Sequence, residues 1–113
     1  MAGIIRVTNE TIDKVVLDVA GPVFLSIGAP WCPDCRRAEP FVEAFAKTFG
    51  DKLTFAAANC DECPGIRERF AVKHIPTMII FKDGKPVNGS LVEVKTPSEL
   101  KAFIEEGLKA AED

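Results

Sequence analysis

Hydrophobic positions along the chain fall into two kinds of stretch: short, nearly continuous runs, and longer segments with three- and four-residue spacing. Ile4–Val7 reads as a short strand. Thr8-Asn9 then offers caps for a helix through about Val19, with Ile12, Val15, Val16 and Val19 on one face. Ala20-Gly21-Pro22 breaks it. Val23–Ile27 is an apolar run of the kind buried on both faces of a sheet. Gly28-Ala29-Pro30 is a turn, and from Pro33 to Phe49 the pattern is helical, with Ala38, Phe41, Val42 and Phe45 facing inward. Pro40 inside this helix removes one backbone bond and predicts a kink. Gly50 ends the helix and Leu53–Ala58 is the next buried strand. Pro64 opens a short helix through about Phe70, with Asp61 or Cys63 near its cap. Thr77–Phe81 is another strand. It is joined through Lys82-Asp83-Gly84-Lys85, a hairpin signature, to Val87–Val94, irregular at Gly89. Thr96-Pro97-Ser98-Glu99 is a capping box that starts the last helix, whose apolar face is Leu100, Phe103, Ile104 and Leu108.

The order β-α-β-α-β-α-β-β-α implies parallel crossovers followed by an antiparallel edge. The expected class is α/β, a mixed central sheet with helices on both faces, in a single domain over residues 1–113. The length of 113 residues and a hydrophobic content of 47% suit one core. A net charge of −3, with no basic run longer than Arg36-Arg37, argues against nucleic-acid binding. The longest apolar runs, such as Met78–Phe81, are too short to span a bilayer. The N-terminus lacks the basic stretch and long apolar run of an export signal, so a cytoplasmic monomer is expected. In that setting the four cysteines, arranged as Cys32/Cys35 and Cys60/Cys63, point to redox chemistry or metal binding rather than a structural disulfide frame.

Cys32 stands where a strand ends and a helix begins. The first-turn N–H groups and the positive end of the helix dipole favour thiolate over thiol there, and an exposed helix N-terminus is a reactive environment. Two intervening residues on the first turn bring Cys35 close enough to close a disulfide. Pro33 at the first helical position restricts the backbone. Such a pair attacks a substrate disulfide through Cys32 and resolves the mixed disulfide through Cys35.

At these residues the chain resembles the thioredoxin family. The matching pieces are Ala29-Pro30-Trp31-Cys32-x-x-Cys35-Arg36, Pro40, Asn59-x-Asp61, Ile75-Pro76-Thr77 and Phe81-Lys82-Asp83-Gly84. The resemblance implies a thioredoxin-like fold, a cis Ile75-Pro76 bond, and a docking groove lined by Trp31, Ile75 and Pro76. It also implies disulfide-containing protein substrates and a reductase that restores the dithiol. No cofactor or metal is implied beyond the Cys32-Cys35 redox pair. A glutaredoxin would share Cys-Pro-x-Cys, but the Thr-Val-Pro turn and following glycine pair expected of it do not occur.

The chain departs from the family at several positions. Pro33-Asp34 replaces the usual Gly-Pro, and Asp34, a like charge beside the sulfurs, opposes thiolate formation. Ser26 stands where the family has a buried acid, with Ala57 replacing the nearby lysine. A hydroxyl buried against backbone is the plain expectation for Ser26. Gly28 replaces an aromatic residue, and Leu91-Val92-Glu93 replaces a small groove wall, which narrows substrate choice. Cys60-Asp61-Glu62-Cys63 is open to three readings: an auxiliary redox pair, incidental thiols, or part of a four-cysteine metal or interaction module. Asp61 and Glu62 disfavour thiolate in that pair. His74 is expected to be an exposed loop residue near the groove.

Overall fold

The computed structural model describes residues 3–112; residues 1, 2 and 113, the ends of the expected domain, lie outside the described residues. Strands β1 (Ile5–Val7), β2 (Val23–Gly28), β3 (Thr54–Asn59), β4 (Thr77–Lys82) and β5 (Lys85–Val92) form one sheet in the order β1-β3-β2-β4-β5. β1, β3 and β2 run parallel, while β4 and β5 add antiparallel to them. Helices α1 (Pro33–Phe49) and α3 (Pro97–Glu112) cover one face, and a single wide turn at Asp13–Leu17 with α2 (Ile66–Arg69) covers the other.

β2 shows why the sheet is covered twice. Val23, Leu25 and Ile27 pack with Ile12, Val16 and Ile66, while Phe24 points the opposite way toward α1 and α3. These four apolar side chains are fully buried, as an apolar run without alternation requires. β5 is an edge strand, mostly exposed and carrying Pro86, whose missing donor an edge tolerates.

Several elements differ from expectation. The first helix shrinks to the Asp13–Leu17 turn, closed by a five-residue bond from the Asp18 N–H to the Asp13 carbonyl (2.8 Å). Neither Thr8 nor Asn9 caps it: the N-cap is Ile12, without a side-chain bond, while the Thr8 N–H donates to the Thr11 hydroxyl (2.9 Å) and Asn9 Nδ2 to the Pro64 carbonyl (3.1 Å). The β-branched run Thr11, Ile12, Val15, Val16, Val19 is poor helix material, and burial of Ile12 and Val16 decides the geometry instead. α2 begins at Ile66 rather than Pro64. Its cap is Gly65, at φ +87°, with neither Asp61 nor Cys63 in that role. β1 starts at Ile5, and β5 spans 85–92 rather than 87–94. The irregularity at Gly89 is a bulge between Ile79 and Phe81 of β4, with Gly89 at φ +74°. Asp83 and Gly84 both take positive φ, as the two-residue hairpin demands.

α1 matches its expected span and, at Ala38 and Val42, its expected inner face. Its buried residues are Ala38, Val42 and Ala46, with Phe41 and Phe45 only half-buried. Gly50 follows its end in a right-handed conformation rather than as a left-handed cap. α3 is capped as expected: Thr96 Oγ1 accepts from the Glu99 N–H (3.2 Å), and Glu99 Oε1 accepts from the N–H groups of Lys95 and Thr96.

Candidate active site

β2 ends at Gly28 and α1 starts at Pro33, so the loop between them lies at the strand's C-terminal edge. Cys32 is the N-cap of α1, with extended backbone (φ −82°, ψ 117°) and Pro33 directly after it. Its sulfur accepts the Cys35 N–H at 3.2 Å, which places one of the helix's unpaired donors on the sulfur. The thiol also lies 3.8 Å from the Ile75 carbonyl, to which it donates. Ile75-Pro76 is cis, and the Glu93 N–H donates to the Pro76 carbonyl (3.0 Å). Trp31, Cys32, Ile75 and Pro76, far apart in sequence, are thereby brought to one edge.

Cys32 is buried, at 5% exposure, which corrects the expectation of an exposed thiol. The Ile75 backbone sits against its sulfur, and the exposed group is its neighbour Trp31, at 62%. Trp31 Nε1 donates to Asp61 Oδ2 at 2.7 Å, and the Asp61 N–H donates to Asn59 Oδ1 at 2.9 Å. Asp61 therefore orients the indole from the loop after β3. The sequence reading missed this role; the Asn59-x-Asp61 motif marked the residue without indicating its partner. Replacing Asp61 with alanine is expected to free the ring. The fluorescence anisotropy of Trp31, the sole tryptophan, should fall, and KM for a protein disulfide should rise about threefold, the scale of one exposed charged hydrogen bond.

Cys35 is half-buried. Burial, and then its hydrogen bond to Cys32, push its thiol from 9.0 up to about 12. A thiol whose pKa is raised on folding holds its proton more tightly in the native state, so its stabilising contribution is complete below the unfolded value and fades as pH rises toward the folded one. The reduced protein is therefore expected to lose melting temperature between pH 9 and 12 more steeply than its Cys35→Ala variant. Equal slopes in the two melting series would refute this.

Asp34, at the first turn of α1, pairs with Arg37 at 3.1 Å on the exposed surface. That cation offsets much of the like charge expected to act on the sulfurs. His74 is exposed and lies 3.9 Å from Glu93, a residue at φ +55° next to the half-exposed Val92. Val92 and Glu93 thus lie beside the cis Pro76, with the Glu93 N–H on its carbonyl.

Behind Cys35, between α1 and strands β2 and β3, lies a cavity of about 380 Å³ whose walls include Ser26, Gly28 and Ala57. Ser26 is half-buried and lines this cavity, rather than being a sealed hydroxyl. A Cβ on Gly28 would stand 2.9 Å from Cys35 Sγ, so only glycine leaves room for that sulfur.

Cys63 is fully buried beneath β1, its thiol donating to the Val7 carbonyl (3.6 Å), and Cys60 packs half-buried against the same cluster. Burial, followed by the Asp61 charge, raises the Cys60 thiol; burial, followed by the charges of Glu62 and Glu10, raises Cys63. Among the described residues no three His, Cys, Asp or Glu side chains converge as metal ligands. The four-cysteine arrangement is not assembled, since Cys63 turns to the β1 side and Cys35 toward the cavity at α1.

Two thiols on the first turn of a helix, one hydrogen-bonded to the other's backbone, define a dithiol–disulfide oxidoreductase. The thioredoxin family model matches residues 3–106. Thioredoxin 1 of Synechococcus elongatus is 37% identical over 82 residues, covering 73% of this chain and 77% of that protein. Thioredoxin of Rhodospirillum rubrum is 39% identical over 80 residues, covering 71% and 77%. Thioredoxin X, chloroplastic, of Arabidopsis thaliana is 36% identical over 104 residues, covering 91% and 57%. The chain belongs to the thioredoxin family, and its activity is dithiol–disulfide exchange.

Proposed function

We propose that Cys32 is the attacking nucleophile and Cys35 the resolving thiol of a protein-disulfide reductase with a restricted set of substrates, working as a single-domain cytoplasmic monomer. The observation that carries this reading is the Cys32 sulfur at the α1 N-cap, 3.2 Å from the Cys35 N–H and 3.8 Å from the Ile75 carbonyl. Cys32 attacks one sulfur of the substrate disulfide. The other substrate sulfur leaves as thiolate, and Cys35 then displaces the first, closing Cys32-Cys35. Pro33 restricts the first turn of α1, and Asp34 with Arg37 tunes the charge around the sulfurs. Trp31, Ile75 and Pro76 hold an extended substrate segment, which pairs with the backbone of Ile75. The redox group is the Cys32-Cys35 disulfide itself, with no metal or added cofactor, and a thioredoxin-reductase-type donor restores the dithiol.

Val92 and Glu93 beside Pro76 support narrow substrate choice. Reduction of a disulfide-bonded protein substrate, compared with a small aromatic disulfide reagent, tests this: restricted choice predicts slow but measurable turnover of the reagent. Equal rates would remove the restriction.

Cys60 and Cys63 stay thiols while Cys32-Cys35 closes, as incidental thiols rather than an auxiliary pair, because burial and acidic neighbours hold both protonated. Free-thiol counting of the folded protein after mild oxidation is expected to find two thiols remaining, mapped to Cys60 and Cys63. Early loss of all four would contradict this.

A further inference from the structure

The Trp31, Ile75 and Pro76 groove serves one side of the dithiol, and the cavity behind α1 reaches the other. Cys35 lines that cavity, whereas Cys32, Trp31, Ile75 and Pro76 do not. Its depth comes from three small side chains in register: Ser26 on β2 faces Ala57 on β3, and Gly28 lies one pleat further along. Because Gly28 has no Cβ, the Cys35 sulfur is left uncovered on this side. At about 380 Å³ the space falls within the size range of small-molecule sites. Its lining carries both signs of charge. Arg6 and Lys47 supply cations; Glu39 and Glu43, four and eight residues after Cys35, supply anions along the same face of α1. A zwitterion complements such a mouth, and a singly charged molecule does not.

We propose that this cavity admits a low-molecular-weight amino-acid thiol, bearing both ammonium and carboxylate, to the Cys35 sulfur of the oxidised protein, so that the dithiol is regenerated from behind by a non-protein reductant. The proposal rests on the reading of Cys32 and Cys35 as the redox pair. The incoming thiolate bonds to Cys35 Sγ, the Cys32-Cys35 bond breaks, and Cys32 departs as thiolate. A second thiolate attacks the small-molecule sulfur of the mixed disulfide. It forms the small disulfide and expels Cys35, which takes up a proton. Two small thiols are oxidised, and one protein disulfide is reduced to two thiols. The direction of attack follows from the leaving group, since the better-stabilised thiolate leaves faster. Cys32 has the helix N-cap and the Cys35 N–H, whereas burial opposes a thiolate on Cys35. Attack from the groove side, on Cys32, would have to expel the poorer leaving group.

The test uses the oxidised full-length protein and free L-cysteine, with an unfolded, cysteine-bearing peptide too large for the cavity as the groove-side reductant. Ala57→Leu fills the cavity and is expected to slow reduction by L-cysteine at least fivefold, leaving the peptide rate within twofold. Lys47→Glu, an exposed change that keeps the fold, is expected to slow L-cysteine about threefold relative to cysteamine, which lacks the carboxylate. Acid quenching followed by peptide mapping should find the first cysteine adduct on Cys35. An adduct on Cys32, or unchanged L-cysteine rates in both variants, would overturn the back route while leaving the dithiol reading intact. Failure of the wild-type protein to form a Cys32-Cys35 disulfide would instead overturn the reading on which the proposal rests.

Discussion

Replacing Cys32 with serine is expected to reduce disulfide exchange to background, a loss of about a thousandfold or more, because a hydroxyl in that position is not ionised near neutrality and the thiolate is the attacking species. Cys35→Ser is expected to behave differently. Attack by Cys32 survives, since the Cys35 N–H that reaches its sulfur belongs to the backbone. Resolution does not, so a covalent mixed disulfide with substrate accumulates on Cys32 and turnover stops. Intact-mass measurement after mixing with a disulfide-bonded protein distinguishes the two: Cys35→Ser should gain the mass of one substrate molecule, and Cys32→Ser should gain none. A trapped adduct on Cys32→Ser, or full turnover by Cys35→Ser, would reverse the assigned roles.

The largest effect on stability is expected at Phe24. Its side chain is fully buried in the layer between β2, α1 and α3, with its ring centroid 4.9 Å from that of Phe55. Truncation to alanine removes the ring's burial and leaves a cavity, at a cost of about 3–5 kcal/mol. Against a total of roughly 5–15 kcal/mol for a domain, that is a large fraction. The melting temperature should fall by on the order of 15–20 °C. Thermal melts of the two proteins in the same redox state measure it, and a shift of only a few degrees would mean that the core can collapse around the loss. The expected effect on chemistry is much smaller, because the N-cap contacts of Cys32 are local to α1 and the Ile75 backbone.

The elements most legible in the sequence are those specified by short-range signals. The Thr96–Glu99 box and the Asp83-Gly84 turn each encode their geometry within four residues, and both take the expected form. The apolar runs of β2 and β4 reveal two-sided burial because polar alternation is absent. Elsewhere non-local packing decides. The pattern Ile12, Val15, Val16, Val19 is helical in spacing, yet its β-branched residues support only one wide turn once Ile12 and Val16 are buried. On α1 the spacing points to Ala38, Phe41, Val42 and Phe45; Ala38 and Val42 are buried with Ala46, while Phe41 and Phe45 pack only at the margin, because bulk at the sheet surface already comes from Phe24, Phe55 and Met78.

The candidate site divides in the same way. Cys32, Cys35 and Pro33 are adjacent in sequence, so their relation to the helix start was readable. The approach of Ile75 and Pro76 was legible only through the family resemblance. The Trp31–Asp61 hydrogen bond spans 30 residues and left no local trace. The burial of Cys32 likewise depends on a backbone segment 43 residues away. Ser26, Gly28 and Ala57 each registered as a departure from the family, but their joint consequence, an opening onto Cys35, emerges only when β2, β3 and α1 are placed side by side.

Site-resolved alkylation of the fully reduced protein with iodoacetamide at pH 7, each cysteine followed by peptide mass, addresses the central assignment most directly. Cys32 should be modified at least about tenfold faster than Cys35, Cys60 or Cys63, because it alone combines the α1 N-cap with a donated N–H. If Cys35 or Cys60 reacted first, or all four cysteines reacted at one slow rate, Cys32 would not be the nucleophile.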